Sequence, residues 1–349
     1  MEPTPDKTIH LVDFALDYFA FDLQQDIRMQ FGNISKTECE QALFDLLPST
    51  AVKATQLELS KHMTIEQAFQ AIANNCLAQI QANEVGVVQK RDVESVHQLR
   101  VGLRRLRCAL GLFRSRLQAP DDVLQELDWL TVELGAARDW DVLAGSTLPG
   151  VAEAVPDETG IAKLKLAAQV RAQEAHDTAA TAVGSVRFKR LIVQLTRWVQ
   201  DCAWRNTMAP QDQKRLTAPL MKFADNMLEH QQRRLLKRGS KLPGASPQER
   251  HKVRIAAKKI RYATEFFQSL YPSKQVHAYV AALSALQDAL GWLNDAAVAH
   301  RLLKQLQNGQ IDLEASAGFV RGYLASRIKN DDKTIRELWK KFVLMKLPC

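Results

Sequence analysis

One pattern occurs twice in this chain and leaves few folds open. Residues 97–107 read H-x-x-R-x-x-x-R-R-x-R, and residues 251–261 read H-x-x-R-x-x-x-K-K-x-R. Phe113 and Phe267 follow in the same phase. Downstream, LGAARDWDV (134–142) is matched by LGWLNDAAV (290–298), which aligns Leu134 with Leu290, Gly135 with Gly291, Asp139 with Asp295 and Val142 with Val298. The blocks keep their order and almost their separation, as expected of a duplicated supersecondary unit. Within each basic block the apolar residues recur at helical spacing. Leu99, Leu103, Leu106, Leu110 and Phe113 form one stripe, echoed by Val253, Ala257, Ile260 and Phe267.

The rest of the chain from Thr64 onward agrees with a helical unit. TIEQAFQAIANNCLAQIQAN (64–83) opens on a capping Thr and carries a helical apolar period. Further helices are predicted at about 92–117, 120–143, 158–183, 185–204, 214–238, 247–271, 274–293, 295–307, 311–329 and 331–346. Breaks are expected at Pro120, STLPG (146–150), VPDETG (155–160), GSKLPGASP (239–247) and YPSK (271–274). Leu, Ala and Gln are plentiful and aromatics make up only 7% of the 349 residues, which also favours helices. Residues 1–60 differ. HLVDFALDYFAFDLQQDIRMQF has mixed periodicity, and AVKATQLEL (51–59) reads as a strand or an extended connector. They are treated as a small separate N-terminal element.

The basic blocks contain no acid, which a solvated helix face seldom tolerates, because like charges four apart repel. His97, Arg100, Arg104 and Arg107 fall on one stripe beside the apolar one, and Arg105 lies apart. His251, Arg254, Lys258 and Arg261 repeat that stripe, and Lys259 repeats the outlier. Two facing rows of this kind make a basic cleft or channel. Net charge is +8, and positive charge gathered in one place implies a polyanionic partner: nucleic acid, anionic lipid or phosphate polymer. Arginine suits phosphate oxygens through its planar fork, and lysine acts as a point charge.

Other constellations are weaker. Asp139 and Asp295 either orient a row cation or cap a helix after the preceding glycine turn. HQQRRLLKRGSK (230–241) places Arg233, Lys237 and Lys241 four apart on one face, where they either extend the channel or mark an exposed helix end favoured by its macrodipole. Arg187, Lys189 and Arg190 form a lesser cluster. His176–Asp177 spells the HD dipeptide of some metal phosphohydrolases, but its surroundings read as helix surface. Ser-His-Asp order, a Gly-rich phosphate loop and H-E-x-x-H are all absent from the sequence, so neither a metal nor a cofactor is expected. Tyr262 is the one aromatic on the rows, too few for base stacking. Five cysteines without a C-x-x-C pair fit a reducing cytoplasm. No signal pattern and no run of 18 apolar residues is present.

VHQLRVGLRRLR, RHKVRIAAKKIRYATEFF and the two LG-x-x-(R/N)-D blocks together resemble the CHAD family, the conserved histidine α-helical domain, over roughly residues 62–346. The resemblance implies an all-α fold of two pseudo-symmetric four-helix bundles, here about 62–204 and 210–346, around a basic cavity that binds inorganic polyphosphate. Carried over residue by residue, the ligands are His97, Arg100, Arg104 and Arg107 with His251, Arg254, Lys258 and Arg261, and the motif also takes in Arg105 and Lys259. Arg233, Lys237 and Lys241 are added as an extension of the channel. Many family members carry an N-terminal triphosphate-tunnel (CYTH) domain marked by E-x-E-x-K. ECEQA (38–42) lacks the lysine, and 60 residues are too few for eight strands, so residues 1–60 are expected to be a remnant of that domain or a connector. The expected function is non-catalytic polyphosphate binding in the cytoplasm, with targeting to polyphosphate granules as a further implication. The alternatives are nucleic-acid binding and metal-dependent phosphate hydrolysis.

Overall fold

The computed structural model describes residues 51–155, 160–242, 244–307 and 311–349. The chain divides into two units, Met1–Thr50 and Ala51–Cys349, and the second is compact. The expectations for residues 1–50 lie outside the described residues. Residues 51–59, grouped with the N-terminal element by sequence, belong to the second unit and are neither helix nor strand. They are tied down locally: Val52 N–H donates to Asn83 Oδ1 at 3.0 Å, Asn83 Nδ2 donates back to the Val52 carbonyl at 2.8 Å, and Leu59 N–H donates to Ser269 Oγ at 2.8 Å. Leu57 and Leu59 are buried in the core.

Several helices begin where the sequence supplies a capping side chain. Thr64 and Gln67 form a capping box that opens α1 (Ile65–Ala82). The Asp92 carboxylate accepts from Ser95 N–H at the start of α3 (Val93–Phe113), after the short α2 (Glu84–Val88). Next come α4 (Asp121–Val142), a π-helical turn at Leu143–Thr147 and α5 (Leu148–Ala154). The predicted break at 146–150 is therefore a widened turn. Pro149 falls in the first turn of α5, where its missing N–H costs nothing. There follow α6 (Gly160–Gly184), α7 (Val186–Gln200), α8 (Pro210–Leu216) and α9 (Leu220–Gly239). Ser246, Pro247 and Glu249 build a second capping box ahead of α10 (Pro247–Phe266). The chain ends in two long helices, α11 (Ser273–Gln307) and α12 (Ile311–Val343). Each was expected as two helices. Gly291 and Asn294 do not break α11, because both neighbouring stretches stay packed along its length.

Packing follows one order in both halves. In the first, α1 packs on α3, α3 on α4 and α4 on α6; in the second, α9 packs on α10, α10 on α11 and α11 on α12. Across the middle, like meets like: α3 touches α10, α4 touches α11, α6 touches α12 and α1 touches α9. The fold is all-α, and among the described residues there is no strand. Its larger core takes in residues of both halves, including Phe69, Phe113, Phe223 and Phe267, and a smaller core joins α9, α10, α11 and α12 around Tyr279 and Phe342. Phe113 and Phe267, in phase in the sequence, meet with ring centroids 6.4 Å apart.

Candidate functional site

Each basic block folds as a helix because its apolar stripe has a core to enter. On α3, Leu99, Leu103 and Leu106 are buried; on α10, Val253, Ala257 and Ile260 are. The neighbouring stripes then face each other. They form two walls of a cleft of about 600 Å³, with α4 and α11 as the other two. His97, Arg100 and Arg104 enter it from α3, and Arg254, Lys258 and Arg261 from α10. From α4 come Arg138 and Asp139, and from α11 Asp288, Asn294 and Asp295. Arg and Lys thus supply six cations against three carboxylates.

The cations are held rather than free. Arg104 Nε donates to Tyr262 Oη at 2.6 Å, and the Arg261 guanidinium lies 5.3 Å from the same ring. Tyr262 is 2% exposed, so it fixes cations and offers no open face for a base. Arg100 donates to the Thr131 carbonyl at 3.3 Å. Asp139 pairs with Arg301 at 3.0 Å, which takes up part of the acid lining the cleft. Arg254 Nε is buried with no hydrogen-bond acceptor, and Arg261 Nε, also without one, faces the Glu265 carboxylate at 3.5 Å. Asp139 and Asp295 sit inside α4 and α11 rather than at helix ends. The capping reading is thereby corrected, because the chain stays helical through Gly135 and Gly291.

The electrostatics follow from crowding cations where water is partly excluded. Burial, then the charges of Arg104 and Arg254, push the Lys258 ammonium down to about 7. Burial and the Arg138 guanidinium hold His97 below its ordinary range. Arg100 and Arg254 are also lowered, chiefly by burial, and remain cationic at any physiological pH. Burial raises Asp139 against the pull of Arg100 and Arg301.

Several expected site residues stand elsewhere. Arg105 is 8% exposed. It turns into the α1–α3 interface, where it donates to Gln79 at 2.9 Å and Asn75 at 2.8 Å and lies over the Phe266 ring. Arg107 is drawn off by an ion pair with Asp128 on α4. Lys259 is half-buried outside the cleft lining, and His251, near the start of α10, is exposed beyond it. Arg233, Lys237 and Lys241 are exposed and do not extend the cleft. The HD dipeptide diverges: buried His176 bonds Asp141 at 2.9 Å, whereas Asp177 pairs with Arg91 at 3.2 Å. Among the described residues no cluster of three His, Cys, Asp or Glu side chains is placed to hold a metal. Sequence reasoning missed Arg138, although it lies inside the repeated LGAARD block and precedes Asp139.

The CHAD domain family profile matches residues 71–304. The chain belongs to the CHAD family. The CHAD domain from the plant Ricinus communis, known from its crystal structure, is 37% identical with a TM-score of 0.76, over 86% of this chain and 99% of that one. PptA from Streptomyces chartreusis shares the fold at 18% identity and a TM-score of 0.61, over 79% of this chain and 99% of its own. No curated protein sequence matches the chain. The matched CHAD segment contains both cleft rows. Among the described residues no helix is long and apolar enough to cross a membrane.

Proposed function

We propose that the cleft binds inorganic polyphosphate and does not turn it over. The observation that carries this reading is the pair of facing rows, Arg100 and Arg104 on α3 and Arg254, Lys258 and Arg261 on α10, around one cleft with too few carboxylates to neutralise them. A flexible anion with one charge per repeat offsets repulsion along both rows at once. Membership of the CHAD family supports the same ligand. Phosphate binding needs no base-stacking surface, and Tyr262 is buried and engaged by Arg104, which weighs against nucleic acid. The proposed role is retention on polyphosphate, including partition onto polyphosphate granules. The test is calorimetric titration with polyphosphate. Arg100→Gln and Arg254→Gln should each weaken binding by about 1.5–3 kcal/mol, the usual value of a lost charge-assisted bond. Incubation with Mg²⁺ or Mn²⁺ should release no phosphate. Unchanged affinity in both variants would overturn the assignment of the cleft, and steady phosphate release would overturn the non-catalytic part.

A further inference from the structure

The basic segment 230–241 does not enter the cleft, and it is not an ordinary solvated face either. From His230 to Lys241 the chain contains no acid. Arg233 and Lys237 stand one turn apart on α9, Lys241 lies in the turn just past its end, and all three are exposed. The row continues onto α10. The Arg238 guanidinium donates to the Lys252 carbonyl at 3.3 Å, and Lys241 and Lys252 both stand near the Glu249 carboxylate. Glu249 is itself committed to Ser246, whose N–H and hydroxyl lie 2.8 and 2.9 Å from it.

Four arginines elsewhere on the surface are matched, Arg91 with Asp177, Arg171 with Glu174, Arg187 with Glu126 and Arg215 with Asp212, and Arg114, Arg190 and Arg197, unmatched among the described residues, do not lie in a run as dense in cations as 230–241. Nearby Arg250 pairs with Asp332 at 2.8 Å. Arg233, Arg234, Lys237, Lys241, His251 and Lys252 have no ion-pair partner among the described residues. The α9 macrodipole accounts for cations in its last turn alone. It does not account for Arg233 and Arg234 a turn earlier. His251 and Lys252 lie in the second turn of α10, where its dipole offers them no support. Like charges one turn apart repel, so the free protein carries an electrostatic cost that a bound anion removes.

We propose that this stripe is an outer track for a second stretch of polyphosphate, separate from the cleft, so that a long chain is held at two places. The proposal rests on the polyphosphate reading of the cleft. The stripe contains no Phe, Tyr or Trp and offers guanidinium and ammonium groups in succession, which fits a flexible polyanion without bases. Two contacts on one strand raise the affinity for long chains without any new contact to short ones.

The experiment compares wild type with Arg233→Gln/Lys237→Gln/Lys241→Gln and with Arg234→Gln/Lys252→Gln, which removes one cation from α9 and one from α10. The probes are chains of about ten and about one hundred phosphates, titrated across a salt series. The short chain should bind all three proteins alike. The long chain should bind both variants more weakly, by about tenfold in the triple variant, with its salt slope lowered by about 2 for three lost contacts. Equal long-chain affinity and slope in both variants would overturn the outer track. Duplex DNA binding the stripe more tightly than long polyphosphate, and losing that in the same variants, would overturn its occupant. The Arg104→Gln/Arg254→Gln variant separates the two readings: short-chain binding that survives it sinks the cleft assignment, and the long-chain comparison still reports on the stripe.

Discussion

At Lys258 the cleft sets ligand recognition against stability. Its ammonium titrates at about 7 in the fold, against an ordinary 10.5. Between those values the unfolded chain holds more protons than the folded one, so stability should rise with pH from about 7 upward. The melting temperature of the free protein is expected to climb by roughly 2–4 °C from pH 7 to 9, and Lys258→Met should flatten that rise. On the proposed reading, bound polyphosphate would reverse the local field and restore the proton. Binding near neutral pH should therefore take up protons at Lys258 and at His97, which is also lowered. Calorimetry in two buffers of different ionisation enthalpy measures this. Uptake undiminished in Lys258→Met/His97→Gln would place the protons elsewhere. Arg105 makes the opposite case: Arg105→Ala leaves the buried Gln79 Oε1 and the half-buried Asn75 Oδ1 without their donor, and should cost about 1–3 kcal/mol of stability while short-chain affinity holds.

At the scale of elements, two glycines should respond with opposite signs. Gly291 lines the cleft in the middle of α11, and a Cβ there meets nothing. Gly291→Leu should gain about 0.5–1 kcal/mol of helix propensity and fill part of the cleft, so thermal stability holds or rises and polyphosphate affinity falls. Gly239 ends α9 directly against the Trp339 indole of α12. Gly239→Ala drives a methyl into a rigid ring, and overpacking of about 1–3 kcal/mol outweighs any propensity gain. Denaturant titration should show a lower midpoint with binding intact. The rows themselves depend on apolar stripes that hold their helices, and Leu106→Ala or Ile260→Ala should cost about 2–5 kcal/mol, since both side chains are fully buried.

For the whole molecule, the larger core joins the halves. Tyr262, Phe266 and Phe267 belong to the same core as Phe69, Phe113 and Phe223. The helical unit should therefore unfold in one transition by both calorimetry and circular dichroism, and residues 210–349 alone should not fold, because that half would expose the aromatic side of its core. Two separated transitions would mean that the halves are independent domains. Polyphosphate affinity should fall steeply between low and physiological salt, because neutralising several phosphates releases their counterions. An affinity flat in salt is incompatible with a binding site made of charge rows.

Local chemistry was legible in the sequence. The capping residue Thr64, the apolar stripes of α3 and α10, and the phase that brings Phe113 to Phe267 all follow from spacing along single helices. So do the row cations Arg100, Arg104, Arg254, Lys258 and Arg261, because a helix turns neighbouring positions by a fixed angle. Which cations would be spent elsewhere was not legible. Asp128 takes Arg107, Gln79 and Asn75 take Arg105, and Asp139 meets Arg301, all through partners at least 21 residues away in the chain. The same holds for Lys258, whose low proton affinity comes from burial and from Arg104 on another helix. A residue's own helix decides which way it points; the helices packed against it decide whether its charge is buried, paired or left for a ligand, and only the tertiary structure brings those helices together.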